Sequence, residues 1–567
     1  MHPLRVKVVA LVIAVCFIVL LLRLSAIQLW FTESFGKDEV NLLEESVAQR
    51  TQQLTIHNGR GGFSDRHDQQ LTKPTQYDIV LFPFLKDMNV PMNEIAQQFP
   101  ISTSQLIQTI QLAQEPFYMS DLIHEPVSEE VYTTFVEKNI PGIYPVERKL
   151  DVDPKIAAHF LGLVRDTDNQ GNNQGISGLE AAFEPFLQAD SEEQLLYHVD
   201  AKGGPLYGLQ VKYQGMEDPY YPVQIKTTIH TPIQQMAEEV IRKHSIHKGG
   251  LVLLDVQNRD VLAMVSKPNI NDDDPYDQQQ TGDEATIHNY MLKATMPGSV
   301  FKTVIAAAAL EHTSLNTKQM FDCNIGVNGR KPSRKLGTLT FTESFAQSCN
   351  HTFVQLAQQM MEQDSEVLDY YVEKLGLDHT VGWQGDVFHL QDFQQFPEEE
   401  PSTIWADESH KQDTNLIAHT AIGQQDVQVT PLAVANMMAT IASDGMKKEV
   451  RGVTSIVYKN GTPMYEFPEQ QQSTSRISGY TAKQLQKLLY EVTEHPKGTG
   501  KALKGLQVAG KTGTAEDERA EMDYHWFAGF FPYDNPQYAM VVLDLQSDTA
   551  DSLFQVYKEM VHYLYDQ

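Results

Sequence analysis

The chain has 567 residues, with 74 acidic and 44 basic side chains and a formal net charge of -30 at pH 7. A nucleic-acid-binding face needs clustered lysine and arginine, so this balance argues against a nucleic-acid partner. Hydrophobic residues make up 41% of the chain, which is enough to bury real cores and argues against a disordered protein. The length predicts two or three domains.

An apolar segment near the N-terminus predicts a membrane-spanning helix over residues 8–31. The run from Val8 to Leu22 carries no charge, and it continues beyond Arg23. Arg5 and Lys7 precede it, so the N-terminus is expected in the cytoplasm and the rest of the chain outside it. The alternative is a cleaved signal peptide. We favour an uncleaved anchor because no clear small-x-small cleavage site follows the run.

Residues 32–220 contain no cluster of catalytic residue types, and we expect them to form a pedestal or spacer. Hydrophobic spacing predicts helices over 38–53 and 106–113 in this region. A strand is predicted over 77–84.

The three cysteines, Cys16, Cys323 and Cys349, do not have the spacing of a metal site. Cys16 lies in the apolar run, and the other two would pair only if the fold happened to bring them together. A large extracytoplasmic protein with a good core does not need a disulfide. We therefore expect no disulfide framework, with Cys349 packed inward as a small hydrophobic residue.

Residues 221–567 predict a larger domain in which strands at both ends of the segment close one sheet. The segment begins with an amphipathic helix and a hairpin of buried strands, and it ends with strands and a final helix. This order indicates an α/β (α+β) sandwich-like fold. The predicted helices are 231–242, 299–311, several within 340–445, and 552–565; the predicted strands are 251–255, 261–265, 506–510, 526–531 and 538–545.

Three short motifs of this segment occur in the order SxxK, SxN and KTG. They are Ser299–Lys302, Ser348–Asn350 and Lys511–Thr514. The first two patterns also occur at Ser245–Lys248 and Ser314–Asn316, where helices are expected to end, and we interpret both as accidental. KTG occurs once, so the signal lies in the order, spacing and context of the three motifs together.

The first motif has the features of an activated serine nucleophile. A tight turn at Met296–Gly298 places Ser299 at the start of a helix, with Lys302 one turn further along the same face. The free backbone N–H groups at this end suit a developing oxyanion. Lys302 can accept the serine proton only when it is neutral, and burial near a second cation such as Lys511 would lower its pKa. For an isolated SxxK, we would prefer a plain helix cap and a solvated lysine.

The third motif follows a predicted strand and offers groups that bind an acyl donor. Lys511 and Thr512 could hold a substrate carboxylate by charge and hydroxyl. Gly513 leaves room for a ligand backbone alongside the strand. The Thr514 N–H could complete an oxyanion hole with the N–H of Ser299. The simpler interpretation is a hairpin turn at a strand end.

The second motif lies in a helical stretch near a predicted break. Ser348 could relay a proton towards a leaving amine, and the side-chain amide of Asn350 could hold both Lys302 and the substrate amide. Taken alone, this motif would be interpreted as a polar helix face.

These motifs and their flanks resemble the class B (monofunctional) penicillin-binding proteins of the penicillin-binding protein and serine β-lactamase superfamily. The likeness covers roughly residues 1–565, and one departure is His67-Asp68, where the family usually has Asn-Gly. The segments that match the family patterns PGSxFK, SCNxxF, GQ…TPL, WFxGy, RGxIxDR and GLE are Pro297–Lys302, Ser348–Phe353, Gly423–Leu432, Trp526–Phe530, Arg60–Arg66 and Gly178–Glu180.

The resemblance implies peptidoglycan D,D-transpeptidation. Ser299 would attack the penultimate D-Ala carbonyl of a donor stem peptide, and the terminal D-Ala would leave. An amine of a neighbouring stem peptide would then resolve the acyl-enzyme. β-Lactams would mimic the donor and stay attached. No metal or organic cofactor is implied, and class B members often work with a membrane glycosyltransferase.

The resemblance also implies the domain order of a single-pass protein of the bacterial cell membrane. A serine β-lactamase/transpeptidase-like domain with a central antiparallel sheet would follow an elongated α+β pedestal, known in the family as the dimerisation domain. The implied divisions are a cytoplasmic tail, an anchor, the pedestal and the extracytoplasmic transpeptidase domain, at 1–7, 8–31, 32–220 and 221–567.

Other proteins with these motifs fit the sequence less well. A class A penicillin-binding protein would add a glycosyltransferase domain, and a class A β-lactamase would carry a Glu-x-x-Leu-Asn segment; neither is found. A D,D-carboxypeptidase uses the same three motifs, so only the pedestal and the anchor argue against it. A non-catalytic scaffold of the wall-synthesis complex is the remaining alternative, but it would not need to keep Lys302 and Lys511.

Overall fold

In the computed structural model the chain divides into two compact units. The N-terminal unit comprises Met1–Gly59, Pro74–Leu150 and Ala189–Pro219, and the C-terminal unit comprises Arg60–Lys73, Asp151–Gln188 and Tyr220–Gln567. This division differs from the single boundary expected after residue 220. The structure describes residues 3–29, 41, 50–72, 75–149, 156–166, 173–188, 192–199, 211–215, 218–270, 288–313, 315–327, 331–332, 334–472, 475–517, 522–547 and 549–567.

The N-terminal apolar segment forms one helix, Pro3–Leu29. Within it, Lys7–Leu29 has 23 residues and a mean hydropathy of 2.9, and none of it is buried. At a rise of about 1.5 Å per residue, such a helix is long enough to cross a hydrocarbon layer of roughly 30 Å. The predicted spanning helix is therefore present by length and composition.

The N-terminal unit contains two small antiparallel sheets and several short helices. One sheet has the strand order Thr51–His57, Glu193–His198, Lys212–Gln214, and the other has the order Phe117–Tyr118, Thr75–Leu81, Ile143–Lys149. The other helices of the unit are Pro83–Asp87, Met92–Ala96, Thr103–Leu112, Met119–Ile123 and Glu129–Lys138.

Two of the three predictions for this unit agree with the structure. The helix predicted over 106–113 is Thr103–Leu112, and it begins earlier because Ser102 and Gln105 form a capping box. The strand predicted over 77–84 is Thr75–Leu81, which ends before a short helix that starts at Pro83.

The helix predicted over 38–53 is wrong at its C-terminal end. Thr51–Gln53 belong to a strand that pairs antiparallel with Leu196–His198. Residues 38–40 and 42–49 of this prediction lie outside the described part of the chain.

The C-terminal unit is built on a five-stranded sheet in which every neighbouring pair is antiparallel. The predicted hairpin is confirmed, and its turn is closed by Asp255, whose carboxylate accepts the Gln257 N–H at 2.7 Å. The strand that carries the third motif lies at one edge of the sheet. The strand order is Val261–Lys267, Gly249–Asp255, Tyr538–Asp544, Met522–Phe531, Ala509–Asp517.

Helices cover both faces of this sheet, so its strands are apolar on both sides. One face packs against the helices Thr231–Lys243 and Asp551–Tyr565. The other packs against a larger core that includes Lys302–His312, Pro431–Ala442 and Gly479–Glu494. Every residue of Pro431–Ala442 is buried, which explains why this helix is apolar on all sides.

The remaining elements of the C-terminal unit are short strands and helices around this framework. The strands are Gly62–Ser64, Val164–Asp166, Asn173–Gly175, Gln224–Thr227, Met320–Asp322, Thr338–Thr340, Gln384–Val387, Leu390–Gln394, Lys447–Lys448, Val453–Val457, Pro463–Glu466 and Gln471–Gln472. The helices are Ala158–Leu161, Gly178–Ala182, Glu184–Leu187, Gly298–Phe301, Phe341–Ala346, Asn350–Gln363, Val367–Lys374, Glu408–Gln412, Thr414–Thr420 and Lys501–Leu503.

The two N-terminal sequence segments that resemble the family patterns meet in the C-terminal unit. Arg60 is 4% exposed, and its guanidinium contacts the carboxylates of Glu180 at 2.5 Å and Glu184 at 2.7 Å. Asp68 has a backbone φ of +67°, a conformation that glycine adopts without strain, which explains why the family usually has glycine there. The buried ion pairs join segment 60–73 to segment 173–188.

Replacing Arg60 with alanine is expected to lower the free energy of unfolding of this unit by about 3–5 kcal/mol, because the buried Glu180 carboxylate would lose the Arg60 cation. The measurement is urea denaturation followed by tryptophan fluorescence. Arg66→Ala is the control: Arg66 lies in the same segment, is half-buried and forms no ion pair with another described residue. Equal losses in the two variants would contradict a specific role for the Arg60 pairs.

Candidate active site

The first motif begins in a tight turn, as predicted. Gly298 has a backbone φ of +53°, and its N–H donates to the Gly423 carbonyl at 2.9 Å. Ser299 is half-buried in a 3-10 turn, Gly298–Phe301, that leads directly into the α-helix Lys302–His312. The nucleophile candidate therefore lies at the start of a helix, and it is not fully enclosed.

Lys302 is fully buried, which rules out the solvated helix position. Its Nζ donates to Asn350 Oδ1 at 2.5 Å and to Ser348 Oγ at 3.0 Å. Burial, followed by the positive charges of Lys511 and Arg334, lowers the pKa of Lys302 well below its usual value. The structure thus joins the first and second motifs and favours the neutral amine that a general base requires.

The second motif lies at the predicted helix break. The helix Phe341–Ala346 ends just before the motif, and Asn350–Gln363 begins at its last residue. Ser348 has a φ of +56°, a costly conformation for a side chain other than glycine, asparagine or aspartate, and one that is often kept where function needs it. In this conformation Ser348 Oγ lies within hydrogen-bond distance of the Lys302 and Lys511 amines, at 3.0 and 3.1 Å.

The expectation for the cysteines is wrong. Cys323 and Cys349 form a disulfide with a Cα–Cα distance of 5.8 Å. Cys349 is buried, as predicted, but it is covalently joined to Cys323, the residue after the strand Met320–Asp322, instead of packing as a free thiol. The sequence offered no signal for this pairing, because the two residues are brought together only by tertiary structure.

The third motif lies inside a strand, not after one. The strand predicted over 506–510 begins at Ala509 and continues through the motif to Asp517. It pairs only with Met522–Phe531, so among the described strands it is an edge. An edge strand offers backbone groups to an extended ligand, and this position also excludes the interpretation of the motif as a hairpin turn.

Lys511 is fully buried beside the second motif. Its ammonium donates to Ser348 Oγ at 3.1 Å and to the Thr512 carbonyl at 3.1 Å. Burial, and then the charge of Arg334, lower the pKa of Lys511 to about 7. Lys511 is therefore the second cation that the sequence predicted beside Lys302.

Neighbouring side chains of the third motif lie on opposite faces of the strand, because side chains alternate between the two faces along it. Lys511 faces Ser348, whereas the Thr512 hydroxyl donates to Thr499 Oγ1 at 2.7 Å. Thr514 shares the face of Thr512 and is exposed. The pairing of Lys511 with Thr512 as one carboxylate clamp is thus less direct than the sequence suggested.

Two glycines allow the turn that carries Ser299, here called the nucleophile turn, to approach the strand Ala509–Asp517 closely. A Cβ on Gly513 would lie 2.4 Å from the Pro297 carbonyl oxygen, and a Cβ on Gly298 would lie 2.3 Å from the Thr514 carbonyl oxygen. Gly513 therefore makes room for the turn, a use that differs from the predicted space for a ligand backbone. The contact places Ser299 and the third motif on the same side of the unit.

Replacing Gly298 with alanine is expected to push the nucleophile turn away from the strand and to lower the rate of penicillin acylation by about 100-fold, since misplacement by about 1 Å has this effect in enzymes. Gly461→Ala is the matched control, because Gly461 also has a positive φ, +85°, but no atom lies within 4 Å of its added Cβ. Stopped-flow acylation and thermal unfolding of both variants distinguish misplacement from backbone strain. Equal acylation by the two variants would contradict this account.

Two residues of the site, Arg334 and Thr499, were not identified from the sequence. Arg334 lies near enough for its charge to act on both lysines, and its guanidinium donates to the Gln347 carbonyl at 3.0 Å. Thr499 binds the Thr512 hydroxyl. Neither residue belongs to a motif, and only the tertiary structure brings them to the site.

The accidental motifs do not resemble the site. Ser245 follows the end of the helix Thr231–Lys243 and has a φ of +55°, so it does not begin a helix as Ser299 does. Ser314, the first residue of the other accidental pattern, lies outside the described residues.

The sequence of the chain also matches a known protein family. The chain matches the penicillin-binding protein transpeptidase domain over residues 249–558, more than half of its length. It belongs to that family. The match contains all three motifs and confirms the resemblance to class B penicillin-binding proteins.

Curated relatives of this penicillin-binding protein chain agree with the family. Stage V sporulation protein D of Bacillus subtilis is 27% identical over 448 residues, which cover 73% of this chain and 63% of that protein. Peptidoglycan D,D-transpeptidase PbpA of Mycobacterium tuberculosis is 28% identical over 349 residues, which cover 56% of this chain and 66% of that protein. The matches thus span slightly less than two thirds of either relative.

A solved structure shows the same fold. Penicillin-binding protein 2X from Streptococcus thermophilus matches with a TM-score of 0.67 and 17% identity, over 91% of this chain and 80% of that chain. The likeness confirms the predicted α+β transpeptidase-like fold with a central antiparallel sheet.

Proposed function

We propose that this chain is a serine-type peptidoglycan D,D-transpeptidase of class B that is acylated and inhibited by β-lactams. The observation that carries the proposal is the position of Ser348 Oγ, 3.0 Å from the Lys302 amine and 3.1 Å from the Lys511 amine. One hydroxyl thus links three motifs that are far apart in the sequence. The family membership and the names of the curated relatives support the same reaction.

In the proposed acylation step, neutral Lys302 removes the Ser299 Oγ proton while Ser299 attacks the penultimate D-Ala carbonyl. The backbone N–H groups of Ser299 and Thr514 stabilise the oxyanion. The Thr512 and Thr514 hydroxyls, on the open face of the edge strand, bind the terminal carboxylate of the donor.

In the proposed second half of the step, the tetrahedral intermediate breaks its C–N bond and the terminal D-Ala leaves as a neutral amine. Ser348 passes a proton to that nitrogen and recovers one from protonated Lys302, and Lys511 stabilises the charge that passes between them. Asn350 holds Lys302 in place through its 2.5 Å hydrogen bond. The amine of a second stem peptide then attacks the acyl-enzyme, and the same groups act in reverse.

The location of the reaction is proposed from the N-terminal sequence. Residues 8–31 anchor the chain in the bacterial cell membrane with residues 1–7 in the cytoplasm, and the transpeptidase domain, 221–567, lies on the outer side. A membrane glycosyltransferase is the proposed partner, because it would supply the glycan strands whose stem peptides are joined.

The test is incubation of the full-length chain in detergent with glycan strands that carry stem peptides ending in D-Ala-D-Ala. A transpeptidase is expected to form cross-linked dimers with release of one D-Ala per cross-link, as measured by liquid chromatography and mass spectrometry. Release of D-Ala without dimers would indicate a D,D-carboxypeptidase. Neither product, together with no penicillin adduct on folded protein, would indicate a scaffold and reject the proposal.

A further inference from the structure

A basic cleft of about 210 Å³ lies beside the second motif. Ser348 and Asn350 form part of its wall, and Lys331 and Arg334 belong to the segment between the strands Met320–Asp322 and Thr338–Thr340. Aspartate and glutamate are absent from its described lining. The chain as a whole has 74 acidic and 44 basic side chains, so a cleft whose described charged residues are all basic is unusual for it.

The two basic side chains of this cleft are open to a ligand. Both are exposed, and neither forms an ion pair with any other residue that the structure describes. Arg334 donates to one carbonyl, that of Gln347, whereas a guanidinium has five N–H donors. Its positive charge is also one cause of the lowered pKa of Lys302 and of Lys511.

The disulfide holds Cys323, where this segment begins, against the second motif. Cys323 lies at the start of the segment, and Cys349 lies between Ser348 and Asn350. Both cysteines line the cleft. A group bound by Arg334 in this cleft would therefore lie beside Ser348 and Asn350 of the second motif.

We propose that this cleft binds a carboxylate of the stem peptide, so that the enzyme selects peptides with a free carboxylate near the reacting group over peptides with a carboxamide there. This inference rests on the proposed function. A carboxylate matches the guanidinium of Arg334 through paired N–H donors, and Lys331 adds a second charge. Gln424 and His419, on another wall, offer further hydrogen-bond groups. The carboxylate belongs either to the donor or to the acceptor peptide.

The test compares synthetic peptides that differ only in a carboxylate or a carboxamide on the residue next to the reacting group. Donors ending in D-Ala-D-Ala are assayed for acylation, and acceptor amines are assayed for resolution of the acyl-enzyme. We expect the full-length chain to prefer the carboxylate form of one of them by about tenfold or more, the effect of one hydrogen bond to a charged group. The double variant Lys331→Gln/Arg334→Gln is expected to lose this preference.

Lys335→Gln is the matched control, because Lys335 is an exposed neighbour of Arg334 outside the described lining of the cleft. Loss of the Arg334 charge also changes the pKa of Lys302, but that change acts on both peptides alike. The ratio of the two rates is therefore the readout, together with the pH profile.

The possible results distinguish a donor carboxylate from an acceptor carboxylate, and failure of the proposed cleft from failure of the proposed function. Loss of the donor ratio assigns the carboxylate to the donor, and loss of the acceptor ratio assigns it to the acceptor. Equal rates for carboxylate and carboxamide in the unmodified chain, or ratios that survive in the double variant, would overturn the proposal. If the unmodified chain forms no penicillin adduct, the proposed function fails instead. Calorimetric binding of the two peptides to the unmodified and double-variant chains then still tests the cleft.

Discussion

Replacing Ser299 with alanine is expected to reduce covalent labelling by fluorescent penicillin to less than about a thousandth of the rate of the unmodified chain, since loss of a serine nucleophile removes the bond-forming atom. The label is measured on folded protein by gel fluorescence, and mass spectrometry of the adduct locates the modified residue. The fold should persist, because Ser299 is half-buried and loses only one oxygen in this variant.

Ser245→Ala is the control for this prediction. Ser245 belongs to the same four-residue pattern, but it follows the end of a helix. It should label at the unmodified rate. An adduct on any residue other than Ser299, or labelling that persists in Ser299→Ala, would reject the assigned nucleophile.

The rate of penicillin acylation is expected to fall as the pH drops below neutral. Lys302 must be neutral to accept the Ser299 proton, and burial, Lys511 and Arg334 lower its pKa. The neutral fraction therefore rises with pH through the lowered pKa and reaches a plateau above it. Lys302→Met should lower the plateau by about 100-fold to 10,000-fold, the usual contribution of a general base.

Lys511→Gln tests whether the Lys511 charge lowers the pKa of Lys302. Removing a neighbouring positive charge makes protonation of Lys302 easier, which raises the pKa of Lys302 and moves the acid limb of the profile to higher pH. Lys501→Gln, which removes an exposed lysine of the short helix Lys501–Leu503, should leave the profile in place. A flat profile across acid and neutral pH in the unmodified chain would contradict the role of Lys302 as base.

Local sequence patterns predicted those parts of the chain whose causes are local. The helix Thr231–Lys243, the hairpin after it and the helix that follows Ser299 depend on hydrophobic spacing and on turn residues a few positions away. The three motifs were recognised because their spacing reflects one helix turn and one strand. The N-terminal anchor needed only length and hydropathy.

Errors arose where a long-range contact decided the structure. Thr51–Gln53 form a strand because they pair with Leu196–His198, more than 140 residues further along the chain. This long-range pairing overrides the local preference of Thr51–Gln53 for a helix. Arg60 buries its charge against Glu180, and these contacts place an N-terminal segment in the C-terminal unit.

The sequence by itself determined the family, the order of the catalytic motifs and the positions of the main helices and of the sheet strands other than Ala509–Asp517. Only the tertiary structure decided the chemistry around them: the disulfide of Cys323 with Cys349, the approach of Arg334 and the burial of Lys302. The reason is physical, because a pKa and a pairing depend on the distances and the dielectric that the folded chain creates, and these are not written in the spacing of any one segment.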